Sequence, residues 1–361
     1  MASTAPALKQ DRVMFSSGAA EYSVRDVIDA AHFRGEIAGT WNELLKRVDA
    51  EQRAIAAGDE VQGTSLDEAA VAFRYQYDLI TAEETEAWLE ARGVSLADFS
   101  DYFSRQYWGK AIGRNAAPVP FGAASMEQRE LLAAELTLSG ELDQMAARLA
   151  WRVAARKAAQ AEELEAPATE AEEERFRQRH NLETSGVADW LSGLERDRDW
   201  LDEMLALEAS YRARCEALLT PEMLHYEISA VRLPMTRLDL ETIELESRDA
   251  ANEALMCVRD DGMTMEEVAR EGRYPYRRAE VVLEEIPDDL QQRFLSLTPG
   301  STLEPTPRDD GFVLSRLLSK HEPSADDPSV RARLEQRILA RHFSELSANY
   351  LQWQILPNLP E

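Results

Sequence analysis

Apolar and polar positions alternate with a helical period over most of the chain. From Ser23 onward Val24, Val27, Ile28 and Ala31 recur at spacings of three and four, the stripe with which an amphipathic helix buries one face. Ser23 supplies the hydroxyl of an N-cap. Trp41, Leu44, Leu45 and Val48 continue the stripe, and after a glycine-containing break at 57–64 Ser65 opens a helix carrying Ala69, Ala70, Phe73, Tyr77 and Ile80. Thr81/Glu84, Ser95/Asp98 and Ser125/Gln128 have the spacing of helix-starting capping boxes. The helix after Thr81 should stop near Gly93, and 109–124, with its glycines and prolines, reads as a loop. Residues 142–165 and 187–219 predict two long helices, separated by an acidic stretch at 162–174 that contains Pro167 and reads as a solvated hinge or mobile arm. Thr220 before Pro221 starts one more short helix. Residues 1–20 are small, polar and aperiodic, which predicts a flexible tail.

The period changes after Leu233. Residues 237–245 alternate as a strand does. Ser247 then caps a helix that ends at Asp261-Gly262, and Thr264/Glu267 starts a short helix. A second strand is expected over 281–286, a helix led by Pro287 through Leu290, Phe294 and Leu297, and a third strand over 312–318. Asp326-Asp327-Pro328-Ser329 begins a last long helix with Val330, Leu334, Ile338, Phe343, Tyr350 and Trp353 on its stripe. The fold class is therefore mainly α with a small α+β domain. The expected division is a tail at 1–20, a helical lobe at 21–232, the α+β domain at 233–323 and a C-terminal helix at 324–361 that packs on the lobe.

Charge narrows the partners. With 40 basic against 67 acidic residues the 361-residue chain carries a formal charge of −27, a surface that repels phosphate and anionic lipid. We expect no nucleic-acid partner and no membrane insertion, and the first twenty residues have no apolar segment of the export type. The two cysteines, Cys215 and Cys257, lie in separate helical stretches without a CxxC spacing, which fits reduced thiols and a cytoplasmic location.

The α+β segment carries a family resemblance. "RLDLETIELESRDAANEALMCVRDDGMTMEEVAREG", from Arg237, resembles the first strand and following helices of parvulin-type prolyl isomerases, and "LEEIPDDLQQRFLSLTPGSTLEPTPRDDGFVLSRLLSKHEPS", from Leu283, resembles their closing half. The specific elements are Leu297-x-x-Gly300, Pro305 and Gly311-Phe312. Asp309-Asp310-Gly311 also has the composition of a tight reversal. A helical lobe around such a domain, completed by a returning terminal helix, resembles SurA-like and PrsA-like foldases. The stretch 73–99 and the C-terminal half are similar to parvulin-related peptide maturation system proteins.

The resemblance implies a prolyl pocket beside two histidines and a Cys or Asp. The first histidine position falls on Glu241 or Thr242, the second on Val313, and the Cys/Asp position near Pro275 or Tyr276. The chemistry is thus unmatched, and no catalytic residue is assigned. The pocket positions fall on Ile286 and Leu290, still apolar, and with Phe294, Phe312 and Val313 they form the candidate peptide-binding set. The aromatic run from Phe73 to Trp108 is read chiefly as lobe core, with a peptide cradle as the alternative. No phosphate loop, nucleophile elbow or metal-ligand spacing occurs among the five histidines, so no cofactor or metal is expected. His32 and Glu36 are expected to form a surface pair. The function these features point to is a cytoplasmic chaperone or accessory factor holding a peptide or unfolded polypeptide, such as a precursor peptide in a maturation or export system. Two alternatives are an active prolyl isomerase with a rewired site and a non-catalytic scaffold for peptide-modifying enzymes.

Overall fold

The computed structural model describes residues 9–59, 61, 63–111, 119–164, 167–308 and 311–358. The chain divides into two compact units, Met1–Cys215 with Arg341–Glu361, and Glu216–Ala340. The division falls inside helices rather than at the expected boundaries of 232 and 323.

The first unit opens with β1 (Val13–Ser17) and β2 (Ala20–Ser23), followed by α1 (Val24–Phe33), α2 (Ile37–Ala57), α3 (Gly63–Gln76), α4 (Ala82–Ala91) and α5 (Leu96–Ala111). It continues with α6 (Met126–Ser139), α7 (Glu141–Ala161), α8 (Glu170–His180), α9 (Val187–Gly193) and most of α10 (Arg198–Leu218). The capping residues do what their spacing requires. Ser23/Asp26, Thr81/Glu84 and Ser125/Gln128 form reciprocal side-chain and backbone bonds at the starts of α1, α4 and α6. Ser95 and Asp98 bond each other's backbone in the same way. The core gathers α1, α2, α6, α7 and α10 around Phe15, Phe33, Trp41, Leu136 and Leu149.

Several expectations need correction. The tail expected over 1–20 contains a strand: Phe15 is fully buried, pairs opposite Trp353 and stacks on Tyr22 at 4.8 Å. Residues 1–8 of that expected tail lie outside the described residues. Trp353, read as the end of the last helix, lies instead on β7 (Gln352–Trp353), antiparallel to β1. The long helix expected over 187–219 breaks between α9 and α10, where Glu195 takes a left-handed turn (φ 55°) and Gly193 lies so close to Gly122 that an added Cβ would meet its carbonyl oxygen at 3.1 Å. The acidic stretch is docked where α8 begins: Glu172 is buried and paired with Arg212 and Arg175. Residues 165–166 of that stretch, 112–118 of the expected loop and Asp309-Asp310 of the expected reversal lie outside the described residues.

The second unit runs from α11 (Pro221–Val231) through β3 (Arg237–Leu245), α12 (Arg248–Arg259), α13 (Met265–Gly272), β4 (Tyr276–Val282), α14 (Asp288–Ser296), β5 (Thr306–Arg308) and β6 (Gly311–His321) into α15 (Pro328–Tyr350). Its four-stranded antiparallel sheet has the order β4-β3-β6-β5. The second strand starts five residues before the expected 281, because β4 is an edge strand whose exposed Arg277 and Arg278 carry no apolar signal. β5, only three residues long, was not visible in the pattern at all. Each face of β3 has its own core. Leu238 and Leu240 join Leu317 and the α14 residue Phe294 on one side, while Ile243, Leu245 and Leu314 pack on α12 and α13 on the other. The first half of α15 packs Val330, Leu334 and Ile338 against Leu224 and Val231 of α11.

Candidate functional site

Side-chain alternation along β3 decides what the sheet can present. Leu238 and Leu240 face α14, so Thr242 and Glu244 continue that face and Glu241 turns to the other. There the Glu241 carboxylate accepts a hydrogen bond from the Tyr276 hydroxyl at 2.7 Å. On β6, Val313, Ser315 and Leu317 share the α14-side face. Register sets Thr242 opposite Ser315 and Glu244 opposite Val313. Of the two first-strand positions singled out by the resemblance, Thr242 is the one on the α14-side face, and its cross-strand neighbour is a second hydroxyl, the buried Ser315. The alternation from Val313 was enough to place Ser315 there, but reasoning from Val313 alone missed it.

Beyond the Thr242–Ser315 pair the sheet opens into a pocket of about 410 Å³, lined by Glu244, Glu246, Pro275, Arg308, Phe312 and Val313, with Leu245 and Gly311. That volume lies within the range of small-ligand and side-chain pockets. Val313, at the second histidine position of the resemblance, meets here with Pro275, one of the two positions, with Tyr276, near which the resemblance expects Cys or Asp. Glycine is required at Gly311, since a Cβ would stand 2.7 Å from the Leu245 carbonyl oxygen. The close approach of β6 to the end of β3 forms the back of the pocket.

The five candidate residues do not line one groove. Ile286 and Phe294 are buried among Leu238, Leu240, Leu283, Leu303 and Leu317, and Leu290 is half-buried against the same cluster. Phe312 packs partly against the α12–α13 core, and Val313 stands on the opposite face. Only Phe312 and Val313 reach the pocket. A larger hollow of about 700 Å³ lies along α11 between Pro221 and Arg331, but its arginines are spoken for, Arg232 by Glu322 and Arg331 by Glu335.

In the first unit the aromatic run forms a small core of its own. Phe73 meets Tyr77, Trp88, Phe99 and Phe103 at ring distances of 4.6–6.0 Å, tilted against Tyr77 and edge-on to the other three, as packed aromatics are. Tyr75, 81% exposed, stands outside that core. The expected His32–Glu36 surface pair does not form. Glu36 pairs with Arg34, and the His32 ring stacks on Trp190 at 5.1 Å. Among the described residues no three His, Cys, Asp or Glu side chains gather as a metal set, and no helix is long and apolar enough to cross a membrane.

Apart from β5, the second unit has the strand–helix–helix–strand–helix–strand order expected from its sequence. No family model matches the chain, and no curated protein does. Among solved structures it is similar to the peptidylprolyl isomerase PrsA from Bacillus cereus, at 14% identity and a TM-score of 0.34 over 60% of this chain and 86% of that one. It is also similar to the foldase PrsA from Lactococcus lactis, at 12% identity and a TM-score of 0.27 over 94% and 91%. A third similarity is to a SurA-like chaperone from Campylobacter jejuni, at 10% identity and a TM-score of 0.19 over 95% and 98%.

Proposed function

We propose that this protein is a polypeptide-binding chaperone whose parvulin-like unit holds an extended segment without catalysing prolyl isomerisation. The observation that carries the reading is the pocket at the end of the sheet. It keeps apolar Val313 where the resemblance expects the second imidazole, and apolar Pro275, one of the two positions, with Tyr276, near which the resemblance expects thiol or carboxylate. Rotating an X-Pro bond means lowering a barrier of about 20 kcal/mol, and a valine and a proline offer no group to stabilise the twisted amide. They do offer apolar surface to a bound chain.

On this reading the client is a precursor peptide awaiting modification or export, and the protein works in the cytoplasm. The unpaired thiols of Cys215 and Cys257 suit such a reducing compartment.

The test is a cis–trans exchange measurement on a short X-Pro peptide, run beside a binding titration of the same peptide. Saturable binding with an unchanged exchange rate is the expected result. Acceleration would overturn the loss of chemistry and point to the Thr242–Ser315 hydroxyls. Absence of binding would overturn the chaperone reading itself.

A further inference from the structure

The lining of the sheet-end pocket specifies more than apolar surface. Glu244 projects from the α14-side face directly opposite Val313, and Glu246 follows it past the end of β3. Leu245, between them, has its side chain 3% exposed in the opposite core, so it meets the pocket through its backbone. Pro275 has no N–H to donate. Neither glutamate has an ion-pair partner among the described residues, whereas Arg308, the one cation of the lining, has a partner of its own. Hydrogen-bonding capacity at the mouth is thus weighted to acceptors: two carboxylates with no ion-pair partner among the described residues, beside an apolar floor of Val313 and the Pro275 ring.

We infer that the pocket takes a basic side chain, arginine or lysine, of the bound polypeptide. The inference rests on the polypeptide-binding reading above and names the side chain that reading leaves open. A long aliphatic stem covers the apolar floor while its cationic head reaches the carboxylates. Guanidinium brings five donors and ammonium three, and neither brings an acceptor, which complements this lining. A prolyl ring would fill the floor and leave both glutamates unanswered. The chain's formal charge of −27 acts in the same direction at longer range, drawing basic segments toward the surface before they dock.

The probe is a short, fluorescently labelled Val/Ser peptide with one central arginine, compared with the same peptide carrying citrulline, the uncharged isostere, and titrated into the intact protein at low and high salt. Arginine should bind about fivefold more tightly than citrulline at low salt, with the difference shrinking as salt rises. The preference should vanish in the Glu244→Gln/Glu246→Gln protein, provided its circular dichroism and melting match the parent. Equal binding of the two peptides, or a preference that persists in the double variant, overturns the inference. Val313→Asp separates the two levels of argument. If both peptides bind equally and both are weakened by Val313→Asp, the pocket holds polypeptide and only its basic selectivity is refuted. If neither peptide binds the parent protein, the polypeptide-binding reading falls, and this inference falls with it.

Discussion

Acid should loosen the first unit through His32. Its ring lies flat on Trp190, 4.9 Å from Phe121 and edge-on to His180 at 5.3 Å, and its Nδ1 is buried without a hydrogen-bond partner. Burial, together with the neighbouring His180 and Arg129, pushes its pKa from 6.5 down to about 3. The folded state therefore holds His32 neutral, while the unfolded chain binds a proton near pH 6.5. The stabilisation is complete above pH 6.5 and drains away as pH falls from there toward 3. At pH 5 the loss is about 1.5 pH units times 1.36 kcal/mol, or about 2 kcal/mol, reduced to about 1–2 kcal/mol because the ring is partly exposed. His180 adds in the same direction, since burial also lowers its pKa while its Nε2 lies 3.0 Å from the Phe33 carbonyl oxygen. The measurement is urea unfolding of the parent and of His32→Phe at pH 8, 6.5 and 5, followed by far-ultraviolet circular dichroism. The phenyl ring keeps the stack and removes the titration, so carboxylate effects elsewhere cancel in the difference. The parent should lose about 1–2 kcal/mol relative to His32→Phe between pH 8 and pH 5. Parallel pH profiles for the two proteins would refute the argument.

The other predictions concern single packing features. Asp29 is 1% exposed and receives Arg196 Nε at 2.7 Å, with Arg25 and Arg129 at 3.6 and 4.0 Å. Asp29→Ala removes the shared carboxylate, but Arg196 keeps Asp26, Arg25 keeps Glu195 and Arg129 keeps the Gly193 carbonyl oxygen, so it should cost about 1–3 kcal/mol in chemical denaturation. Gly311→Ala forces β6 away from the Leu245 carbonyl, so it should cost about 1–3 kcal/mol and weaken peptide titration in parallel. Phe294, 4% exposed under the sheet, is core rather than groove. Phe294→Ala should lower stability by about 3–5 kcal/mol, and peptide affinity measured well below the melting temperature should change little.

Local, repetitive signals in the sequence translate well into this fold. The capping boxes at Ser23, Thr81, Ser125 and Thr264 each start a helix at the expected residue, because a cap needs only neighbours within one turn. β3 spans the expected 237–245 because both of its faces are half apolar. The failures are tertiary. β1 was hidden in a polar-looking tail because its burial depends on a strand more than 330 residues away. The break before α10 depends on Gly122 pressing on Gly193. Edge strand β4 is solvated, so no periodic apolar pattern marks it. The candidate site was legible as a list of positions but not as a surface. The resemblance singled out Val313 and Pro275 or Tyr276, and only the structure showed that Glu244 and Arg308 accompany Val313 and Pro275 while Ile286 and Phe294 do not.

That partition separates the sealed part of the sheet from its open end. The α14-side face of β3 and β6 serves two purposes along its length. At one end Leu238, Leu240 and Leu317 are sealed beneath α14, where apolar burial supplies stability and a polar residue would be costly. At the other end Thr242, Ser315, Glu244 and Val313 adjoin or line the open pocket. Glu244 is half-buried and Glu246 exposed there, so the mouth carries charge that water still reaches. The backbone that shapes the mouth is fixed elsewhere, by the Gly311–Leu245 approach and by the separate core on α12 and α13. Stability and pocket lining thus rest on different residues of the same two strands.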